Sequence, residues 1–286
     1  MAIDQKKFKD IIDYYDQTQF DYRVAWDNSE NPAVHFGYYD EQASSHVDAL
    51  QNTNKVLAEL AQVKAGDAVL DAGCGKGGSC FWLVKNKQAI PTGITPVASQ
   101  IEACQKQAKT LQLTDQTSFV LADFCQTPFE KESFDVVWAC ESLCHADQKA
   151  DFYQEAFRVL KPGGRLVIAE YIRKARPLPA KDDQLLLAWL KTWAIKDIDT
   201  EAEHLQHAQR AGFQDILIKD VTANTKTSLR NLHNNSKNWR LFGKLMRLFR
   251  MRTQVQQDNQ DGSILQYQAL EKNLWFYSFI HAVKPK

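Results

Sequence analysis

Along most of this chain the spacing of apolar residues switches between two periods. A 3.6-residue period over Val47–Gln62 predicts a helix, and the apolar run Ala68–Ala72 behind it reads as a strand. A second strand is expected at Ala89–Thr95, a helix at Val97–Leu111, and further strands at Ser118–Ala122 and Phe134–Cys140. The helical pattern of Lys149–Leu160 runs into "KPGG", where Pro162, Gly163 and Gly164 end it ahead of a strand at Arg165–Tyr171. A helix at Glu201–Ala211 closes on Gly212, a strand follows near Asp215–Val221, and the aromatic run Leu274–Val283 reads as the last strand. Strand and helix in alternation imply a mostly parallel sheet with helices on both faces. Two regions stand outside the rhythm: residues 1–47, read as helical with the loop "NPAVHFGYYDEQ", and residues 222–272.

Composition narrows the class. With 286 residues, 44% of them apolar, the chain can bury one large core, or a core plus a subdomain. Lys plus Arg equals Asp plus Glu at 35 each, so any bias towards nucleic acid or anionic surfaces has to be local. Cys74, Cys80, Cys104, Cys125, Cys140 and Cys144 include no C-x-x-C pair, so neither zinc nor thiol redox chemistry is indicated and no metal is expected. The start "MAIDQKKFKDIIDYYD" lacks the apolar core of a signal peptide, and a reducing cytoplasm suits six unpaired cysteines. No apolar run approaches the ~18 residues that span a bilayer.

The densest chemical signal is "VLDAGCGKGGSCFWL". An apolar strand ends in Asp71, then Gly73, Gly75, Gly77 and Gly78 precede the helical run "SCFWLVKN". Glycine lets a ligand approach main chain, and the helix start offers unpaired N–H groups to an anion. Lys76 lies inside the loop with no Ser or Thr after it, so the triphosphate-binding pattern is missing, while "GCGKGG" fits the dinucleotide fingerprint literally.

Wider context separates these options. "VLDAGCGKGG", "LADFCQTPFEKESFDVVWACESL" and "RVLKPGGRLVIAE" resemble, in order and spacing, three motifs of class I S-adenosylmethionine-dependent methyltransferases across residues 66–171. The resemblance implies a doubly wound, mostly parallel, seven-stranded Rossmann-like α/β sheet, with an N-terminal helical lid (1–47), a cofactor-binding core (48–221), a helical insertion (222–272) and a last strand (273–286). It implies S-adenosylmethionine as cofactor, with Asp71, Gly73 and Gly75 on the methionine part and Asp123 and Phe124 at the adenine. Many members carry an acidic residue where this chain has Thr95, so Thr95 and Gln100 are taken as the ribose contacts.

"ESLCHAD" after the fourth strand is similar to the "EATCHAP" segment of sterol C-methyltransferases, and more distantly to segments of tocopherol, geranyl diphosphate and coclaurine-type N-methyltransferases. Residues there border the ligand crevice of such a sheet. Glu141 is the expected base or charge stabiliser, assisted by His145 and Tyr38, with Tyr15, His35 and Trp189 near the acceptor. Methylating an alkene creates a carbocation, which aromatic faces stabilise. Tyr14, Tyr15, Tyr22, Trp26, Tyr38, Tyr39, Trp189, Trp193, Trp275 and Tyr277 are the aromatic candidates, most of them expected as plain core.

Between Val221 and Gln257 there is no Asp or Glu, against eight Lys and Arg residues. On a helix, "KNWRLFGKLMRLFRMR" sets Leu241, Phe242, Leu245, Leu248 and Phe249 against Lys237, Arg240, Lys244 and Arg247. Three readings stay open: a helix docked on the core with a solvated basic face, peripheral attachment to anionic lipid, or recognition of a diphosphate through Arg230 and Arg240. The expected activity is methylation of a hydrophobic small molecule, first an isoprenoid alkene in a prenyl diphosphate or sterol-like lipid, with amines and phenols as the alternative. A nucleic-acid substrate is not expected, since the N-P-P-Y type motif is missing and the basic segment is one helix. Homo-oligomerisation stays open.

Overall fold

A computed structural model describes residues 5–25 and 35–286, with backbone alone at 22–25; Tyr22, Trp26 and the first part of the loop at 31–34 fall outside that description. Seven strands form one sheet: β1 (Ala68–Ala72), β2 (Ile90–Thr95), β3 (Ser118–Leu121), β4 (Phe134–Cys140), β5 (Leu160–Arg173), β6 (Gln214–Asp220) and β7 (Trp275–Val283). Their order is β3-β2-β1-β4-β5-β7-β6. The first five pair in parallel, while β7 runs antiparallel between β5 and β6. The fold is the doubly wound, mostly parallel Rossmann-like sheet that the alternation implies.

Alternation along the strands assigns side chains to two cores. Val69, Val136 and Val167 pack on one face with Leu57 and Leu83, from the helices α2 (His46–Leu60) and α3 (Gly78–Lys87). Leu70, Val137 and Leu166 pack on the other with Phe152, Ala156 and Ala208, from α5 (Lys149–Val159) and α7 (Glu201–Ala211). Between them in sequence, α4 (Ala98–Thr110) connects β2 to β3. Strands covered on both faces need continuous apolar runs, which is how these segments read. Ser45 and Asp48 form a reciprocal capping box at the start of α2, and Thr200 and Glu203 do the same for α7, each satisfying N–H groups that the helix itself leaves unpaired.

Two boundaries differ from the sequence reading. Pairing of β5 begins at Leu160, opposite Phe134, then jumps to Arg165 opposite Val136. The "KPGG" segment is therefore a bulge inside the strand and not a link ahead of it. A helix that the sequence reading did not name, α6 (Ala180–Thr192), follows β5 and buries Leu186, Trp189 and Leu190. It is anchored by Arg173, 3% exposed, which pairs with Asp183 of α6 and at 2.9 Å with Asp197.

The insertion before β7 is a helix pair, α8 (Thr222–Leu248) and α9 (Gln254–Glu271). The α9 helix packs on α6 and α8, and α1 (Lys9–Ala25) rests on α9. The second half of α8 is not docked by its apolar side: Leu241 is 81% and Leu248 76% exposed. Among the described residues no helix is long and apolar enough to cross a membrane.

Candidate active site

The strand order reverses between β1 and β4, and the crevice at their carboxyl ends is where ligands bind in sheets of this kind. A narrow cleft there is lined by Asp71, Gly73, Gly75, Ser79, Gln100, Glu141, His35 and Tyr15, among others. Gly73 has φ +92°, and a Cβ on it would lie 2.3 Å from that of Ser142, so β1 and the β4 loop touch through bare main chain. Gly75 has φ +52°, and a Cβ on it would meet no protein atom within 4 Å, so it faces open space. Thr95 stands behind Gln100, its hydroxyl 2.6 Å from the amide oxygen, and also receives the N–H of Val97.

Among the described residues, two groups in this cleft lack the partners that burial calls for. Asp71 is 2% exposed and takes a hydrogen bond only from the Cys80 thiol, so burial pushes its carboxyl up to about 7. His35 uses Nδ1 on the Phe36 carbonyl and leaves Nε2 buried without a partner; burial holds its ring neutral, lowered to about 4. A carboxylate without a cation and an imidazole nitrogen without a donor fit an amino acid bearing an ammonium group.

Glu141 sits where this cleft meets a larger cavity. Its φ is 52°, in the left-handed region, which costs a non-glycine residue about 1 kcal/mol or more. Local contacts hold it there. Cys144 and Tyr171 donate their N–H groups to the buried Glu170 carboxylate at 2.8 Å, and Lys149 Nζ donates to the carbonyls of Cys144, Ala146 and Asp197 at 3.2, 2.8 and 2.7 Å. The Glu141 carboxylate accepts from Phe36 N–H at 2.6 Å, Tyr277 O–H at 2.7 Å and Tyr171 O–H at 2.5 Å. Burial outweighs these donors and raises its pKa to about 7. Tyr171 and Tyr277 face each other directly across β5 and β7, so the antiparallel register sets both phenols on Glu141.

The larger cavity, about 490 Å³, runs from Glu141 to α8 and α9. Tyr14, Tyr15, Phe20, Phe36, Tyr171, Trp193, Trp239 and Phe242 supply its aromatic walls. Its polar side chains include Asn235, Ser236, Asn259, Gln260 and Ser263. Arg252, the one guanidinium among the described lining residues, is held bidentate by Asp21 at 2.8 Å on both oxygens. His145 also lines the cavity. The Ala194 carbonyl can only accept, at 3.4 Å, so Nδ1 carries the proton and Nε2 accepts from Tyr15 O–H at 3.1 Å; burial lowers the ring pKa to about 4.

The structure thus brings Asp71, Gly73, Gly75, Gln100, His35, Tyr15, Glu141 and His145 to the two adjoining cavities, with Thr95 one layer behind. Asp123 and Phe124, at the end of β3, lie outside the lining of the cleft. Asp123 bonds Lys7 Nζ at 2.5 Å, and Phe124 packs edge-on against Phe152. Tyr38 is buried, stacked on Phe279. Trp189 is buried behind Tyr171 and Trp275. Arg230 reaches Tyr267 O–H and Arg240 pairs with Asp261, both exposed and outside the cavity, so the residues expected to grip a diphosphate do not line it. Glu170 closes the "RVLKPGGRLVIAE" motif and Tyr171 follows it, but no linear motif shows that Phe36, Tyr171, Glu170 and Lys149 set the position of Glu141.

A glycine-lined cleft at the switch point of a seven-stranded sheet, beside a buried carboxylate able to take an amino-acid cation, fits a methyltransferase of the S-adenosylmethionine-dependent class. Comparison with known proteins agrees. A methyltransferase domain model matches residues 70–168. 27-O-demethylrifamycin SV methyltransferase of Amycolatopsis mediterranei is 30% identical over 68% of this chain and 71% of its own length. 24-Methylenesterol C-methyltransferase 2 of Arabidopsis thaliana is 28% identical over 76% and 60%. Geranyl diphosphate C-methyltransferase of Streptomyces coelicolor A3(2) has the same fold, with a TM-score of 0.72 over 97% of both chains at 21% identity. The chain belongs to the class I S-adenosylmethionine-dependent methyltransferases, and S-adenosylmethionine is its cofactor.

Proposed function

We propose that this enzyme methylates a large, mostly apolar and uncharged acceptor, first of all an alkene carbon of a sterol-like or other isoprenoid lipid. The observation that carries this reading is the aromatic cavity of about 490 Å³ that meets the cofactor cleft at Glu141 and Tyr15. Asp71, Gly73, Gly75, Gln100 and His35 would hold S-adenosylmethionine, whose sulfonium supplies an electrophilic methyl group and leaves as a thioether with the bonding pair. The alkene's π electrons form the new carbon–carbon bond and leave a cation on the acceptor. Phe36, Tyr171 and Trp193 line the cavity, and an aromatic ring face turned to the acceptor would offset that charge. Glu141, titrating at about 7 between two phenols, takes the proton that restores the double bond.

An uncharged acceptor is favoured over a prenyl diphosphate because the cavity's guanidinium is already neutralised by Asp21 and because Arg230 and Arg240 face elsewhere. A second reading, methylation of a hydroxyl, rests on the neutral His145 ring and its hydrogen bond to Tyr15, which can relay a hydroxyl proton. It also agrees with the likeness to 27-O-demethylrifamycin SV methyltransferase. Methyl-labelled cofactor offered with a sterol, a polyprenyl alcohol, a phenol and geranyl and farnesyl diphosphates, with products read by mass spectrometry, tests both. Label on uncharged acceptors is expected. Label confined to diphosphates overturns the acceptor reading, and label on oxygen that depends on His145 and not Glu141 selects the second.

A further inference from the structure

Seven of the twelve large apolar side chains exposed among the described residues lie within one short stretch, Trp239 to Met251. An amphipathic helix normally turns its apolar stripe inward, and a soluble monomer rarely leaves a patch of this kind bare. At the 100° step of a helix, Leu241, Phe242, Leu245, Leu248 and Phe249 fall on one arc of α8, with Lys237, Arg240, Lys244 and Arg247 on the adjoining arc. Arg240 pairs with Asp261, whereas Lys237, Lys244 and Arg247 form no ion pair among the described residues. No acidic residue occurs between Val221 and Gln257.

The patch is continuous with the acceptor cavity. Trp239, Phe242 and Phe20 are 63%, 52% and 56% exposed, and all three line that cavity, so its mouth opens onto the same apolar face. We propose that the second half of α8 seats on an anionic lipid bilayer, with its leucines and aromatics in the headgroup boundary, its cations on lipid phosphates, and the cavity mouth against the hydrocarbon. Charge selects this occupant. A symmetric contact with a second copy would set Lys244 and Arg247 against their like, with no acidic residue on this stretch to answer them, whereas anionic lipid answers both arcs at once. Trp239 at the cavity rim suits the boundary between water and hydrocarbon. Lipid-to-cavity transfer of the acceptor rests on the acceptor reading above; the seating itself does not.

Flotation of the full chain with phosphatidylcholine vesicles, with and without phosphatidylglycerol, tests the seating. Recovery is expected on the anionic vesicles, falling with added salt. A Leu241→Glu/Leu245→Glu/Leu248→Glu variant, altered at exposed positions outside the cavity lining, is expected to lose more than about tenfold in vesicle affinity. Lys244→Gln/Arg247→Gln is expected to lose about five-fold per cation. Calorimetry should give both variants the wild-type affinity for the cofactor, which shows that they are folded. Equal recovery of the wild type and the leucine variant would overturn the proposal. So would a dimer that the leucine variant dissociates while neither form binds vesicles, which would give the face to a second copy. No acceptor is present in these experiments, so failed methylation of uncharged lipids would count against the acceptor alone.

Discussion

The cofactor cleft and the acceptor cavity share Tyr15 and Glu141 but are made of different material. The cleft is built around glycines and short side chains of one strand–turn–helix unit, residues 71–79, closed by Ser99, Gln100 and Ala103 of α4, the end of β4, His35 and two residues of α1. The cavity takes its aromatic walls from α1, the Phe36 loop, β5, the end of α6 and α8, while α9 adds the polar Asn259, Gln260 and Ser263. Main chain at a strand tip is placed by the sheet, so the cleft's shape is tied to the fold. Walls made of side chains from separate helices can change shape by substitution without disturbing the sheet, which is how one cofactor site can serve different acceptors.

Substitutions that strike only one region should separate them. The largest effect is expected from Gly73→Ala, whose methyl would overlap Ser142 at a backbone angle that only glycine adopts freely. Cofactor binding by calorimetry should fall below detection. Wild-type affinity would mean that the cleft tolerates a shift of the β4 loop. Glu141→Gln comes next, with turnover reduced about 10²–10⁴-fold if the carboxylate is the base, and cofactor affinity within about twofold of wild type. Equal losses in both would place Glu141 in the cleft's structure and not in proton transfer.

A smaller effect comes from pH. Asp71 titrates at about 7 in the free protein, so below that pH it offers an ammonium no charge. Cofactor affinity should rise with pH by about tenfold per unit between pH 5.5 and 7, then level off. Asp71→Asn should be weaker and flat across this range. The same raised pKa bears on stability. Protonated Asp71 favours the ligand-free fold fully below its ordinary value of 3.8, and that contribution is lost as pH rises towards about 7. Bound cofactor, by favouring the ionised form, should raise the melting temperature more at pH 7.5 than at pH 5.5. Least of all, Arg230→Ala and Arg240→Ala should leave turnover of uncharged acceptors within about twofold, since both lie on solvent-exposed pairs outside the cavity.

The same contrast explains what could be read from the chain. Strand ends from Ala68 to Ala72 and Phe134 to Cys140, the glycine turn and the Glu141 segment were legible because each is contiguous and its function depends on neighbours within a few residues. The setting of Glu141 was not. Phe36, Tyr171 and Tyr277 meet only because β7 inserts antiparallel beside β5, a topology that no local period encodes. Helix α6 was passed over although Leu186, Trp189 and Leu190 stand at helical spacing and are fully buried; what the chain does not show is the partner of that stripe, since its packing on α9 and the Arg173–Asp183 pair are long-range. Residues 237–251 carried a helical pattern, but pattern alone could not say that the apolar side would face outward.

The central claim is that an uncharged lipophilic acceptor receives the methyl group beside Glu141. It is tested most directly by incubating the purified full chain with methyl-labelled S-adenosylmethionine and a mixture of sterols and polyprenyl alcohols, with and without competing geranyl and farnesyl diphosphates, and weighing the products. Label should enter the uncharged compounds, resist competition by diphosphates, and fall sharply in Glu141→Gln. Label found only in the diphosphates, or in uncharged compounds at an undiminished rate in Glu141→Gln, would contradict it.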